Sequence, residues 1–386
     1  MPDDRMLIPL VLLLVSLSLA SCDAAKPDEA AIQTWTLRED WRVGGEIAGP
    51  HSFDANFGLA MLPGDSLLHF DYQEQRFHVL DLSGNGIRSF GRKGPGPGET
   101  DGNGFAISPS GVIVVNDRGN DRLSRFDTEG AFLGSVPVQW QFTTGVNWNA
   151  RFLEDGRLFD HQTTVADSMG ARVWIDRIRL WSRNIKSFED LDLRSCMISP
   201  RPAAGHSTIA TSQKADAVVG LLPLPFSGPW FATAIDPAGY IWGVPPGDSL
   251  TIEKFPVGAC KAVASITLAN DVPLIPASTA DSALEALAGF ATASGGSLPA
   301  ETKLPGRFPP FWTLHVDDQH QLWAQRFGPA GERVMEVYDS TGAPVARVNN
   351  FPLEPRWPLV FHRDRIYGFA ADQDGIKYLV ALSLLR

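Results

Sequence analysis

Apolar residues along this chain fall in short runs, each closed by a turn residue, rather than in the three-to-four spacing of long helices. Leu67-Leu-His-Phe-Asp71 is followed by Arg76-Phe-His-Val-Leu-Asp81 and then Gly84. The same order returns as Ile113-Val-Val-Asn-Asp117, Arg122-Leu-Ser-Arg-Phe-Asp127 and Gly130. Asp71/Asp117, Arg76/Arg122, Asp81/Asp127 and Gly84/Gly130 are each 46 residues apart, and a constant offset over four positions marks a repeated unit. Between the copies lies Gly91-Arg-Lys-Gly-Pro-Gly-Pro-Gly-Glu99, the punctuation between them.

Six such units follow one another. The first runs from about Phe53 to Glu99 and the second from about Gly104 to Trp140. The third begins near Val146, turns at Glu154-Asp-Gly156 and returns through Val173 to Trp181. The fourth starts near Trp230, with Asp236-Pro-Ala-Gly239 as its turn. The fifth joins Phe311 to Asp317, Leu322-Trp323 and Val334 to Asp339; the sixth joins Trp357 to Phe361, Ile366 to Phe369 and Tyr378 to Leu382. Each unit predicts strand, turn, strand, loop, strand and usually a fourth strand, as in Ile87 to Phe90 and Phe132 to Val136.

Radially repeated four-stranded antiparallel sheets form a β-propeller, in which each blade covers its neighbour and the ring leaves no long free edge. The predicted fold is therefore all-β: a six-bladed β-propeller over residues 33–386. Thr34 to Val43 is a strand without a unit of its own, and it is expected to pair with Tyr378 to Leu384, so that the chain ends fasten the ring. Two stretches fit no blade. Arg194 to Pro225 is a long excursion, and Asn270 to Pro305 contains a short helical insertion at about residues 277–293, with Ser282 and Glu285 spaced as a capping box.

The amino terminus changes the address. Met6 to Ser21 is nearly all apolar but short for a transmembrane helix, and it reads as an export signal, so residues 1–21 form a signal peptide. Leu19-Ala-Ser-Cys22 resembles the lipobox of bacterial lipoproteins, which implies cleavage before Cys22 and lipidation of that residue. Residues 22–32 then form a polar tether. The expected location is the bacterial cell envelope, anchored by lipid in the inner or outer membrane and facing the periplasm or the surface. Cys196 and Cys260 remain as an even pair, which in an oxidising compartment are either a disulfide or two buried thiols.

Charge and motifs narrow the chemistry. A formal charge of -11 sets nucleic acid aside, because phosphate tracking needs clustered Lys and Arg. Gly94-Pro-Gly-Pro-Gly98 is no phosphate cradle, since proline offers no N–H. No H-E-x-x-H or G-x-S-x-G is present, and Asp372-Gln-Asp-Gly375 is too short for an EF-hand loop. Asp71 and Asp117, with Arg76 and Arg122, are expected to cap loop amides or pair across their hairpins. An aromatic precedes the first turn of five units: Phe57, Trp148, Phe231, Trp312 and Trp357. Together they are candidates for an apolar binding mouth, or for wedges between blades.

Val115-Asn-Asp-Arg-Gly-Asn-Asp-Arg-Leu-Ser-Arg-Phe-Asp-Thr-Glu-Gly130 resembles the NHL-type propeller repeat. With the Gly-Pro-Gly-Pro-Gly-Glu stretch, Phe308-Pro-Pro-Phe311, Leu322-Trp323 and the lipobox, the chain is similar to six-bladed β-propeller lipoproteins of Bacteroidetes and related bacteria. The resemblance implies a fold, not a reaction. Two functions follow as expectations. The first is a lipid-anchored binding or scaffold module for a protein or envelope ligand, with no cofactor and no nucleic acid. The second is a metal-dependent hydrolase of lactonase or phosphoesterase type, with calcium or zinc held in the central channel.

Overall fold

A computed structural model describes residues 32–45, 49–53, 56–138, 148–168, 171–191, 209–214, 217–226, 233–244, 250–268, 272–293, 295–300, 302–354 and 357–386. Strand β1 (Gln33–Gly44) precedes the first blade. Blade one is β2 (Asn56–Leu62), β3 (Ser66–Asp71), β4 (Arg76–Leu80) and β5 (Gly86–Phe90). Blade two is β6 (Phe105–Ile107), β7 (Ile113–Asp117), β8 (Arg122–Phe126) and β9 (Phe132–Pro137). Blade three is β10 (Asn149–Phe152), β11 (Leu158–Ser168), β12 (Ala171–Trp181) and β13 (Phe188–Leu191). A separate hairpin, β14 (Ile209–Lys214) and β15 (Ala217–Pro223), comes next. Blade four is β16 (Thr233–Asp236), β17 (Tyr240–Gly243), β18 (Thr251–Pro256) and β19 (Ala264–Thr267). Helix α1 (Ala277–Ala293) leads to blade five, β20 (Leu314–Val316), β21 (Leu322–Phe327), β22 (Arg333–Tyr338) and β23 (Pro344–Asn349). Blade six is β24 (Val360–His362), β25 (Arg365–Ala371) and β26 (Lys377–Leu385), with β1 as its outer strand. The fold is the six-bladed β-propeller expected from the repeats.

The core has no single centre. Among the described residues, buried apolar side chains sort into six wedges, one between each pair of neighbouring blades. Strand alternation produces this directly, since successive side chains point to opposite faces and both faces are covered. In β3, Leu67 joins the wedge against blade six, whereas Leu68 and Phe70 join the wedge against blade two. Middle strands buried on both sides therefore read as continuous apolar runs rather than alternating ones.

The recurring Asp and Gly form one turn used repeatedly. Asp81 Oδ1 accepts the N–H groups of Ser83 and Asn85, and Gly84, at φ 86°, donates its N–H to the Asp81 carbonyl. Asp127/Gly130, Asp339/Gly342 and Asp372/Gly375 repeat the arrangement. The fourth position needs the left-handed region, which glycine enters without steric cost. At Asp317, His320 takes that place, at φ 62°.

Closure falls to β1. Its residues Thr36 to Gly44 pair antiparallel with β26, from Thr36↔Leu385 to Gly44↔Tyr378, with one irregularity between Glu39 and Trp41. Gln33, Thr34 and Trp35 pair parallel with β23 of blade five. Trp35 is buried beside Trp323, with ring centroids 6.0 Å apart, and Trp41 Nε1 donates to the Leu82 carbonyl of blade one at 2.8 Å. One strand thus ties blades five, six and one.

The two excursions meet, because α1 packs against β14 and β15. Leu287 and Ala291 form the buried stripe of α1. Phe290, in the same helix, is exposed. The helix starts five residues before Ser282, so Ser282 and Glu285 lie inside it and are not its capping box. Among the described residues no helix is long and apolar enough to cross a membrane.

Candidate functional site

Antiparallel pairing sends two kinds of turn to opposite ends of each blade. The turns between first and second strands lie at one end, here the turn end; the hairpins between second and third strands lie at the other, with the connectors that enter each blade. At the turn end the six first turns ring the channel mouth, and polar contacts join those of blades one, six, five, four and three. Asp65 of blade one meets His362 Nε2 at 3.1 Å and Arg363 Nη2 at 2.9 Å, both from blade six. The Arg363 N–H reaches Asp318 of blade five at 2.6 Å. His320 of blade five places Nδ1 2.7 Å from Asp236 of blade four and Nε2 3.5 Å from Glu154 of blade three. Burial pushes the Asp236 carboxyl up, but the Ala238 amide, His320 and Lys254 together outweigh it and hold the pKa below its ordinary value.

Inside this ring lies a basin of about 420 Å³, with Arg151 among its lining residues and prolines 63, 109 and 237 on its rim. Arg151 extends from the innermost strand of blade three, and its Nη1 donates to the carbonyls of Ile235 in blade four and Val316 in blade five, both at 3.2 Å. Among the described residues its other guanidinium nitrogens make no hydrogen bond and no carboxylate forms an ion pair with it. Burial pulls its pKa down, while the more distant Asp236 and Asp317 oppose that shift. A second hollow of about 270 Å³ shares Ser108, Pro109, Phe152 and Glu154 with the first, and adds Arg125 and Arg183. Two adjoining depressions thus hold three guanidinium groups. Their acidic neighbours have other partners, Asp65 with His362, Glu154 with His320, and Asp155 with Arg157 at 2.7 Å, although Asp155 also attracts Arg183. Sequence reading missed Arg151; the local signal was a charge within the inner strand Asn149-Ala-Arg-Phe152.

The aromatic candidates belong to the other end of the channel. Trp148 is buried in the wedge between blades two and three, and its Nε1 donates to Asp160 Oδ1 at 2.5 Å. Arg179 and Trp181 complete the shell of Asp160, a carboxyl raised by its burial against their pull. Trp312 packs 5.5 Å from Phe226 and 5.7 Å from Phe327, beside Phe308 stacked 4.0 Å from Phe327. Trp357 meets Phe369 edge-on at 5.9 Å, with Lys377 Nζ 5.3 Å over its ring. The Phe57 side chain and Phe231 lie outside the described residues. Cys260 is disulfide-bonded, while Cys196, its candidate partner, and Cys22 lie outside the described residues.

The hairpin carboxylates divide. Asp117 Oδ2 accepts from Arg122 Nε at 2.6 Å and from Ser124 Oγ, and its Oδ1 accepts from the Asp101 amide and from Asn120. Arg122 also donates to the carbonyls of Gly96 and Glu99, and Asn120 to that of Gly94, so this cluster clamps the Gly-Pro-Gly-Pro-Gly-Glu connector. Asp71 caps the amides of Gln73 and Glu74. Arg76, exposed, makes no ion pair with it among the described residues.

No protein-family model and no curated protein matches the chain. Solved structures do. A member of the DUF4221 family from Bacteroides vulgatus shares 10% identity with a TM-score of 0.53, over 91% of this chain and 99% of its own. A candidate exported protein from Bacteroides fragilis shares 14% identity at a TM-score of 0.47, over 91% and 96%. A calcium-binding protein, regucalcin, from Agrobacterium tumefaciens shares 13% at 0.45, over the same shares. At such identities the likeness is one of fold.

The ring of turn contacts gives a pH signature. A carboxyl held below its unfolded pKa of about 3.9 stabilises the fold fully above that value, and the contribution fades as pH falls through the folded pKa. Asp236→Asn should lower stability at pH 7 by about 3–5 kcal/mol, the cost of breaking a buried pair. In urea titrations the gap from wild type should narrow below about pH 4. A gap unchanged down to pH 2.5 would show that the carboxylate charge is not what matters.

Proposed function

We propose that this protein is a lipid-anchored propeller of the cell envelope that works as a binding module, seating anionic groups of a protein or envelope ligand in the turn-end basin. The observation that carries this reading is Arg151. A half-buried guanidinium whose pKa is lowered by desolvation, and which is satisfied only in part by carbonyls, is an incomplete electrostatic arrangement. A ligand carboxylate or phosphate would complete it, and the planar fork of arginine suits either group. Arg125 and Arg183 in the adjoining hollow extend the same preference to a ligand with more than one anionic group. The volume of the basin falls in the range of small-ligand sites, and its proline rim limits the ordering lost on binding.

The hydrolase reading needs oxygen ligands converging in the channel. Asp236 and Asp317 stand nearest Arg151 in charge, but each is committed to its own turn: Asp236 to Ala238, His320 and Lys254, and Asp317 to Gln319, Gln321 and Trp323. The binding module is therefore the better supported function.

Thermal-shift titration of the purified protein with inorganic phosphate and with a uronate oligosaccharide tests the basin. The wild type should gain stability, by about 2.7 kcal/mol at a hundredfold excess over Kd. Arg151→Met should lose the response, and equal responses from both proteins would contradict the assignment. The anchor is separable: Cys22→Ser should move the protein from the membrane to the soluble fraction, and continued membrane retention would rule lipidation out.

A further inference from the structure

The 46-residue repeat allows two hairpins to be compared position by position. In blade two, Asp117 is buried and surrounded by donors: Asn120, Arg122 and Ser124 all bond its carboxylate. The corresponding residues of blade one are Asp71, Glu74, Arg76 and His78. The backbones agree, since Gln75 and its counterpart Asp121 both occupy the left-handed region, at φ 56° and 49°. The side chains do not. Asp71 retains only 7% of its exposure, its Oδ1 takes two amides, and its other oxygen accepts no hydrogen bond among the described residues. The amide donor has become the carboxylate of Glu74 and the hydroxyl donor the imidazole of His78, while Arg76 faces solvent.

Blade two neutralises its buried aspartate with an arginine of its own; blade one surrounds the equivalent aspartate with further ligands. One ligand atom each from Asp71, Glu74 and His78 lies within 4.8 Å of the others. We propose that this hairpin is a divalent-cation site for a transition ion of the zinc class, an external charge taking the place that Arg122 fills in blade two. Two carboxylate oxygens and one imidazole suit such an ion, whereas calcium prefers oxygen alone. His78 Nδ1 lies 2.8 Å from Ser89 Oγ, an orienting contact that assigns Nε2 to the ion. Bonds of about 2.0–2.2 Å require the three atoms to draw slightly closer. Glu74, on an exposed turn, has the freedom to do this. Three protein ligands leave the remaining coordination positions to water or to a bound molecule.

Isothermal titration of the chelator-treated protein with Zn²⁺, and the visible absorption of Co²⁺ added in its place, test the site. The wild type should bind one ion per chain, and Glu74→Gln should weaken binding by at least tenfold. The double change Glu74→Asn with His78→Ser installs the donors of blade two and should abolish binding while leaving the urea midpoint of the metal-free protein unchanged or raised. Should the double variant fail to fold, Glu74→Gln alone decides, because Glu74 is exposed. A wild type that binds no Zn²⁺, or affinity unchanged in Glu74→Gln, would overturn the assignment.

Discussion

Everything in this molecule depends on the ladder that β1 makes with its neighbours. A propeller with six wedges between six blades has no central core to hold it, so every wedge is stable only while the ring is shut. The seam falls between the first and last blades, and β1 fastens it by pairing antiparallel with β26 and donating from the Trp41 indole to Leu82, while its parallel pairing with β23 reaches on to blade five. Asp40 adds a polar fastening, accepting from Ser383 Oγ at 2.6 Å with Arg365 close by at 3.3 Å. Large aromatic surfaces accompany the hydrogen bonds, and an indole buried on this scale contributes several kcal/mol.

Closure also sets the position of the chemistry. Arg151 depends on carbonyls from two other blades, so its place in the basin is a property of the ring and not of its own strand. The contacts from Asp65 through His362 and Arg363 to Asp318, and from His320 to Asp236 and Glu154, hold the rim in the same sense. At the opposite end the Asp117–Arg122 cluster freezes the connector between blades one and two. The most distinctive stretch of the sequence is thus a clamped joint. The proposed cation site uses the matching hairpin of blade one.

The architecture was legible because it is written locally. Middle strands buried on both faces leave apolar runs, and each Asp–Gly turn needs a carboxylate and a left-handed residue three positions apart, so the units can be counted. The closing strand was legible as an apolar segment without a unit, and its register with β26 covers the expected residues. The basin was not, because Ile235 and Val316 stand 84 and 165 residues from Arg151 and only closure unites them. The aromatics show the same limit. Position at the entry of an inner strand does not reveal whether an indole faces the channel or a neighbouring blade, and Trp148 turns to the wedge, where Asp160 accepts its N–H. The blade-one triad was legible in principle, through alignment of Glu74 and His78 with Asn120 and Ser124.

The closed ring is the claim on which the rest stands, and hydrogen–deuterium exchange on a chain lacking residues 33–44 tests it most directly. Amides of β2–β5 and β24–β26, on either side of the seam, should lose protection first and by orders of magnitude, with the urea midpoint falling in parallel. Protection and midpoint matching those of the full chain would contradict the account, since the ring would then hold without its closing strand.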